Sequence, residues 1–365
     1  MSTYLTKTFT TAFWPRVLML VCFVLTTVLF SASAVDGHSL WLSTKSNQPV
    51  TILLTDKKPS ATQLMAKKVL EEGWEGQAGV TLRLVRKADK ALKSGGFRFT
   101  AEGISASTDA GLLYGAYAYL RSQQVDGAVR PSVSNPSYQW RVLNHWDNLD
   151  GSIERGYAGR SIFWRGLHDL TVTDADVTRW KAYAAANASL GINGTVLNNV
   201  NASPDMLSAP VLKRVAAIAD ELRPYGITTF LSINFSTPSE LGGLKTADPL
   251  DKTVAAWWQA KVKEIYASIP DFGGFLVKAN SEGLPGPQDF GRTHVDGANM
   301  LADALKPYGG LVMWRAFVYS PTEKDRAKQA YLEFMPFDGP FRDNVIVQVQ
   351  NGPVGFQPRE PLSPL

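Results

Sequence analysis

The order of hydrophobic and polar residues divides the chain into two parts with different repeats. In the first part, three short runs alternate as β-strands do, namely Pro49–Leu54, Val80–Arg86 and Gly96–Glu102. Two further segments, Ala61–Glu75 and Asp109–Gln124, carry apolar residues three or four positions apart, as amphipathic helices do. This pattern predicts a small α/β domain with a mixed sheet.

In the second part, strand-like segments alternate regularly with helix-like ones. The strand-like segments are Gln139–Asn144, Gly194–Val200, Thr228–Ile233, Gly274–Val277, Gly310–Trp314 and Asn344–Val349. Such an alternation is typical of parallel βαβ units and predicts a (β/α)8 TIM-type barrel, whose sites lie at the carboxyl ends of the strands. Only about six strands can be counted, so we expect the sequence to be a piece of a longer barrel. An open or irregular sheet is the alternative.

The amino terminus has the features of a secretory signal peptide. Lys7 and Arg16 precede the apolar run Val17–Phe30, and Ala32–Ala34 fits a small-residue cleavage site. A retained membrane anchor is the alternative, but the apolar run is short for a span. A stretch rich in Gly, Pro and Ser, Asp126–Trp140, is the predicted linker. We therefore predict a signal peptide (1–34), an N-terminal α/β domain (35–130), an incomplete catalytic barrel domain (131–365) and export to the periplasm or the medium.

Composition and charge exclude several classes of protein. The only cysteine, Cys22, lies in the leader, so a mature chain would have no disulfide framework, cysteine metal site or cysteine nucleophile. The formal net charge is +4, and 35 basic and 33 acidic residues remain without the leader. No long basic run is present, so we predict no nucleic-acid partner.

The predicted strand ends carry an unusual mixture of polar and aromatic side chains. The first is followed by "NHWDN", the second by "LNNVNA", the fourth by "VKANSEG" and the fifth by "WRAFVY". Amide groups that hydrogen-bond hydroxyls, together with aromatic faces, are typical of a carbohydrate site. The sequence therefore predicts a sugar pocket at the carboxyl edge of the sheet.

Three charged residues at these ends are candidates for the chemistry. Glu282 follows the fourth strand, where a carboxylic acid could protonate a leaving group; a carboxylate paired with Lys278 or Arg315 is the alternative. Lys278 and Arg315 together indicate an acidic substrate, or else an internal ion pair. Glycoside hydrolysis needs a second carboxylate. Its candidates are Asp147, Asp150, Glu240 and Glu360.

Two other chemistries find little support. His145 has Asp147 nearby, but no obvious second histidine and no cysteine, so no metal site is predicted. No Gly-x-Ser-x-Gly elbow supports a serine triad. No feature of the sequence indicates a cofactor.

Five segments together resemble the α-glucuronidases of glycoside hydrolase family 67. They are "LNHWDNLDGSIERGYAGRSIFW", "GINGTVLNNVNA", "FLVKANSEGLPGPQDFGRTHVDG", "WRAFVY" and "NGPVGFQPREP". The resemblance implies removal of (4-O-methyl)glucuronic acid from glucuronoxylan-derived oligosaccharides by an inverting mechanism. It also implies an α/β domain, similar to one of hexosaminidases, ahead of the barrel. In relatives of full length, it further implies a homodimer formed through a C-terminal helical domain.

The resemblance also implies roles for individual residues. Glu282 corresponds to the general acid, Lys278 and Arg315 to ligands of the sugar carboxylate, and Trp146 to a wall of the uronic-acid pocket. Polar contacts at the second strand end could come from three asparagines, of which the first two are preferred. They are Asn198, Asn199 and Asn201.

Three departures from the family pattern concern water activation and carboxylate binding. Gly355 stands where the family has an aspartate, and Gln350 stands where a lysine commonly precedes "NGP". The glutamate that is the other candidate base would lie beyond Leu365. We therefore expect the chain as given to have little or no activity. A non-catalytic carbohydrate-binding remnant is one alternative function. Another exo-acting barrel glycosidase, such as a hexosaminidase, is a second, although Ser281 stands where that class has an aspartate before Glu282.

Overall fold

The structure, a computed structural model, describes residues 48–154, 159–280, 283–317, 319 and 326–349. These residues form two sheets with helices packed on them. The strands of the first sheet are β1 (Val50–Leu54), β2 (Val80–Arg86), β3 (Phe97–Thr100), β4 (Gly103–Ala106) and β5 (Ser132–Ser134). These strands lie in the order β1-β2-β4-β3-β5. The helices of this part of the chain are α1 (Ala61–Gly73) and α2 (Asp109–Asp126).

The first sheet differs from the sequence prediction in two places. The predicted single strand Gly96–Glu102 is one arm of an antiparallel pair, β3 and β4, joined by a turn at Ala101 and Glu102. Gly103, the first residue of β4, has a φ of 143°, and a Cβ there would come within 2.3 Å of the Arg83 carbonyl oxygen, so this position requires glycine. Within the predicted linker, Ser132–Ser134 pairs with β3 as an edge strand.

The second sheet consists of parallel strands in chain order. They are β6 (Val142–Asn144), β7 (Gly194–Val196), β8 (Thr228–Ile233), β9 (Gly274–Val277), β10 (Leu311–Arg315) and β11 (Val345–Gln348). Each of the six predicted strand segments contains or overlaps one of them. Because the order never reverses, right-handed crossovers place the connecting helices on one face, as in part of a barrel.

Helices follow these strands, as the alternation of strand-like and helix-like segments predicts. They are α3 (Asp174–Ser189), α4 (Ala209–Leu222), α5 (Thr237–Glu240), α6 (Lys252–Ser268), α7 (His294–Leu305) and α8 (Arg326–Phe334). Short 3-10 turns occur at Pro204–Leu207, Arg223–Tyr225, Pro287–Phe290, Lys306–Tyr308 and Met335–Phe337. Across residues 48–349, as far as they are described, no helix is both long and apolar enough to cross a bilayer.

Strand register decides which residues face the helices and which face the inside of the curved sheet. Phe275 packs on Trp258 of α6, and Trp314 packs on His294 of α7, so these strand positions face outward. The alternate positions form the inner core, and Trp140 and Val142 pack against it. That core consists of Val196, Val200, Phe230, Leu276 and Met313. Two positions beyond Leu276 and Met313, the inner face ends in Lys278 and Arg315.

Candidate active site

The carboxyl edge of the second sheet places two cations side by side. Trp314 is opposite Val277 in the strand register, so the next residues, Arg315 and Lys278, are neighbours on adjacent strands. Arg315 is only 8% exposed. The Lys278 Nζ lies 5.4 Å from the ring centroid of Phe317, and the Arg315 Cζ lies 5.3 Å from it. Both cations are therefore within cation–π range of the same ring. Two like charges in such a row favour the binding of an anion between or above them.

A hydrogen-bonded network leads from Lys278 to the ends of β7 and β6. The Lys278 ammonium donates to the Asn201 Oδ1 at 2.7 Å, and the Asn201 amide nitrogen donates to the Glu154 Oε2 at 2.9 Å. The Asn199 amide nitrogen donates to that same carboxylate oxygen and, at 3.0 Å, to the Asn148 Oδ1. Three strand ends are therefore joined by polar side chains at one edge of the sheet.

Trp146 lies in a loop that folds back on itself at this edge. Its carbonyl oxygen accepts a hydrogen bond of 2.9 Å from the Glu154 N–H, and the Asn148 N–H donates to the Ser152 carbonyl at 2.9 Å. The Asn199 N–H donates to the Asp147 carbonyl at 2.8 Å, which fastens the loop to the end of β7. Trp146 is half-buried at the edge that carries Lys278 and Arg315.

The three asparagines weighed for the second strand end lie in different surroundings. Asn198 is buried, and its amide donates to the Ser232 carbonyl and accepts from the Ser232 N–H, both at 2.9 Å. It therefore extends the pairing of β7 with β8. Asn199 contacts Glu154, and Asn201 is the asparagine that contacts Lys278. The structure thus brings Trp146, Asn199, Lys278 and Arg315 to one edge and adds Asn201 to them.

Glu282, the predicted general acid, lies outside the described residues, as do Ser281, Gln350 and Gly355. Its assignment therefore stays a prediction. The chain on either side of it is fastened to one side chain, because the Asn280 amide nitrogen and the Gly286 N–H both donate to the Asp289 Oδ2, at 2.7 and 2.8 Å.

The candidates for a second carboxylate differ in how their oxygens are used. Asp147 is buried and accepts a hydrogen bond from the Ser161 hydroxyl. Hydrogen bonds from Ser152 lower the pKa of Asp150, which makes it a weaker base. Glu240, at the end of α5, is exposed, and Glu360 lies outside the described residues.

The histidine considered for metal binding is engaged in the fold. The His145 Nε2 is 2.8 Å from the Tyr183 hydroxyl, which in turn bonds Thr195, and the His145 Nδ1 is 3.5 Å from Asp147. In the described ranges, no group of three or more His, Cys, Asp or Glu residues is arranged to hold a metal ion.

A tyrosine that the sequence pattern does not mark as functional connects the two strands that bear the cations. The Tyr319 hydroxyl donates to the Arg315 carbonyl at 2.9 Å and accepts from the Ala279 N–H at 3.2 Å. Burial raises the pKa of Tyr319, so the hydroxyl keeps the proton that it donates. The signal that could have found this residue was its place as the last residue of the "WRAFVY" motif. Glu154 stood in the quoted polar stretch, but nothing in its spacing marked it.

Comparisons with known proteins agree with this geometry. The glycosyl hydrolase family 67 middle domain matches residues 121–365. The "Probable alpha-glucuronidase A" of Neosartorya fischeri is 42% identical over 354 residues, which are 91% of this chain and 42% of that protein. The "Alpha-glucuronidase A" of Aspergillus tubingensis is 46% identical over 285 residues, covering 75% of this chain and 33% of that protein. The chain thus spans less than half the length of these relatives.

Solved structures with low sequence identity share the fold. A GH138 enzyme targeting pectin rhamnogalacturonan II has a TM-score of 0.52 at 15% identity, covering 83% of this chain and 38% of that one. The N-acetyl-beta-hexosaminidase of Streptomyces plicatus has a TM-score of 0.51 at 12% identity, covering 88% of this chain and 76% of that one. These likenesses concern the fold, whereas the domain match covers more than half of the sequence. The chain belongs to glycoside hydrolase family 67.

Proposed function

We propose that the protein is an α-glucuronidase, which removes (4-O-methyl)glucuronic acid from glucuronoxylan-derived oligosaccharides with inversion. The observation that carries the proposal is the pair of neighbouring cations, Lys278 and Arg315, on the inner face at the carboxyl ends of β9 and β10. A uronic acid differs from a neutral hexose by a carboxylate, and guanidinium and ammonium groups are the side chains that bind one best. The relatives named alpha-glucuronidase support the same substrate class.

In this proposal, each strand end has a task. Arg315 and Lys278 bind the carboxylate, Trp146 provides the apolar wall against the sugar ring, and Asn199 belongs to the polar surface beside it. Glu282 protonates the glycosidic oxygen as the bond to the anomeric carbon breaks. A second carboxylate deprotonates the water that attacks the opposite face, and its identity is the open part of the mechanism, since position 355 is glycine.

The finer architecture is part of the proposal. We infer that the parallel strands belong to a (β/α)8 barrel and that the first sheet corresponds to the hexosaminidase-like domain of the family. We also infer that residues 1–34 direct export, and that the protein of full length is a homodimer. Processing at Ala34 in a secreting host, checked by N-terminal sequencing of the exported protein, would test the export.

The test is release of 4-O-methylglucuronic acid from a xylo-oligosaccharide that carries it at the non-reducing end. Any product that this chain releases should appear first as the β-anomer in ¹H NMR spectra, with Glu282→Gln abolishing release and Asp205→Asn leaving it unchanged. An α-anomer as first product would contradict inversion. Affinity for 4-O-methylglucuronate no higher than for 4-O-methylglucose would contradict uronate recognition.

Binding without turnover is the second candidate function, favoured by Gly355 and Gln350. An inverting enzyme that lacks its base loses about 10²–10⁴-fold in rate. Preferential binding of the uronate without release of product, from folded protein, would identify a carbohydrate-binding remnant. Multiple turnover would show that another group activates the water.

A further inference from the structure

Glu154 lies at the centre of the network that reaches Lys278. Its Oε2 accepts hydrogen bonds from the amide nitrogens of Asn199 and Asn201, and its N–H donates to the Trp146 carbonyl. Glu154 is therefore tied to the aromatic loop, to the end of β7 and, through Asn201, to the ammonium group on β9.

The chemistry of a carboxylate determines how the neighbouring amides are oriented. An ionised carboxylate only accepts hydrogen bonds, so the –NH₂ side of Asn201 must face Glu154. The carbonyl side of the Asn201 amide then faces the Lys278 ammonium, which only donates. The orientation of Asn199 is set in the same way, because its Oδ1 accepts the Asn201 N–H at 3.1 Å and its nitrogen faces Glu154.

An amide between a carboxylate and an ammonium group has a different effect from a direct ion pair. A direct contact would largely neutralise the lysine charge, whereas the Coulomb attraction falls with the separation that the amide imposes. The Asn201 Oδ1 then holds the ammonium at a defined point. Since Lys278 lies beside Arg315, the position of the Lys278 ammonium decides whether both cations can contact one carboxylate.

We propose that Glu154 is a positioning residue that sets the specificity for a carboxylate-bearing sugar by orienting Asn201 and, through it, Lys278. The inference rests on the proposed function, because it concerns the uronate that Lys278 and Arg315 would bind. It adds a role for an acidic side chain that does not contact the reacting atoms.

The experiment compares affinities for 4-O-methyl-D-glucuronate and 4-O-methyl-D-glucose, measured by calorimetry or NMR titration with the chain as it exists. In Glu154→Ala, we expect the affinity for the uronate to fall about tenfold, the effect of losing one charge-assisted contact. The affinity for the neutral sugar should change by less than about twofold. Asp205→Asn removes an exposed carboxylate four residues beyond Asn201 and serves as the matched control, with both affinities unchanged.

A second arm tests whether Glu154 acts through Asn201. Asn201→Leu should cause the same loss of selectivity, and Glu154→Ala combined with Asn201→Leu should lose no more than either alone, because coupled residues are not additive. Additive losses would overturn the proposed route. Circular dichroism and thermal unfolding of each variant show whether it has folded.

The outcomes separate the two proposals. If the unmodified chain binds both sugars equally, the proposed function fails. If it prefers the uronate and the Glu154 variants keep that preference, or lose both sugars to the same extent, the role of Glu154 is only structural and the inference is overturned.

Discussion

Two carboxylates of this protein, Asp176 and Glu154, each organise a polar network, but they do so in opposite ways. Asp176, near the start of α3, contacts Arg165 directly and lies 3.5 Å from the Arg214 Nη2. Glu154 contacts amide groups and reaches a cation only through Asn201. The first network lies on the helix side of the sheet and the second at the proposed pocket.

The direct network has the properties of a structural clamp. Asp176 is 5% and Arg214 is 1% exposed. Arg214 also donates to the Phe163 carbonyl at 2.7 Å and to the Thr171 carbonyl at 2.8 Å, so it fastens the segment before α3 to α4. Asp176 in addition forms a capping box with Thr173. The charges of Asp176, Arg165 and Arg214 therefore face one another within the protein.

The difference between the two networks shows how a carboxylate side chain can serve either stability or binding. Burial alone would raise the pKa of Asp176, but the hydrogen bond from Arg165, the Thr173 N–H and the charge of Arg214 together lower it. The charges of Asp176 and its arginines therefore offset one another. Glu154 orients a cation while leaving an amide between the two charges, which suits a site that must receive an anion.

The largest effect on stability is expected from Asp176→Asn. Removing the charge leaves Arg214 buried without its carboxylate, so the free energy of unfolding should fall by about 3 kcal/mol, measured by urea denaturation. The preference for the uronate should be unchanged in the folded variant. Asp169→Asn, an exposed partner of Arg165, is the control and should leave the free energy of unfolding nearly unchanged. Equal losses in the two variants would contradict the clamp.

The largest effect on binding is expected from Lys278→Met. Loss of a charge-assisted contact of about 2 kcal/mol should weaken the affinity for 4-O-methylglucuronate about 30-fold, with little change for the neutral sugar. Lys261→Met, on α6, is the matched control, since Lys261 pairs with Glu264. The comparison of the two networks would break down if Lys278→Met reduced stability as much as Asp176→Asn does.

The pH dependence of stability should also test the contribution of Asp176. Because the folded pKa of Asp176 is lowered, its contribution is fully present above the unfolded value of about 3.9 and is lost as the pH falls through the folded value. Denaturation at pH 7 and pH 3 should therefore show a smaller difference for Asp176→Asn than for the unmodified chain. An identical difference would show that the ionised Asp176 contributes no stability.

A smaller effect is expected from Tyr319→Phe. The variant loses the hydroxyl that joins the ends of β9 and β10, which should reduce the free energy of unfolding by about 1 kcal/mol. Tyr308→Phe is the control, because Tyr308 is 43% exposed and its ring stacks on Tyr266. A larger loss in Tyr308→Phe than in Tyr319→Phe would contradict the role given to the hydroxyl.

The strands of the second sheet could be predicted because apolar, β-branched runs recur between helical segments. The first sheet was less predictable: the turn at Ala101 and Glu102 and the edge strand Ser132–Ser134 lie in short polar segments, and only pairing with β3 makes the latter a strand. In such segments, tertiary contacts rather than local preference decide the conformation.

The sequence by itself determined that Lys278 and Arg315 would be neighbours, because each follows a parallel strand and consecutive strands pair in chain order. Only the tertiary structure decided which asparagine meets Lys278. Asn198 is directed to the backbone of β8, while Asn201 is oriented by Glu154, a residue that the fold of the loop after β6 brings back to the sheet edge. Periodicity specifies which face of a strand a residue occupies, but the orientation of an amide depends on donors and acceptors that only the folded chain brings together.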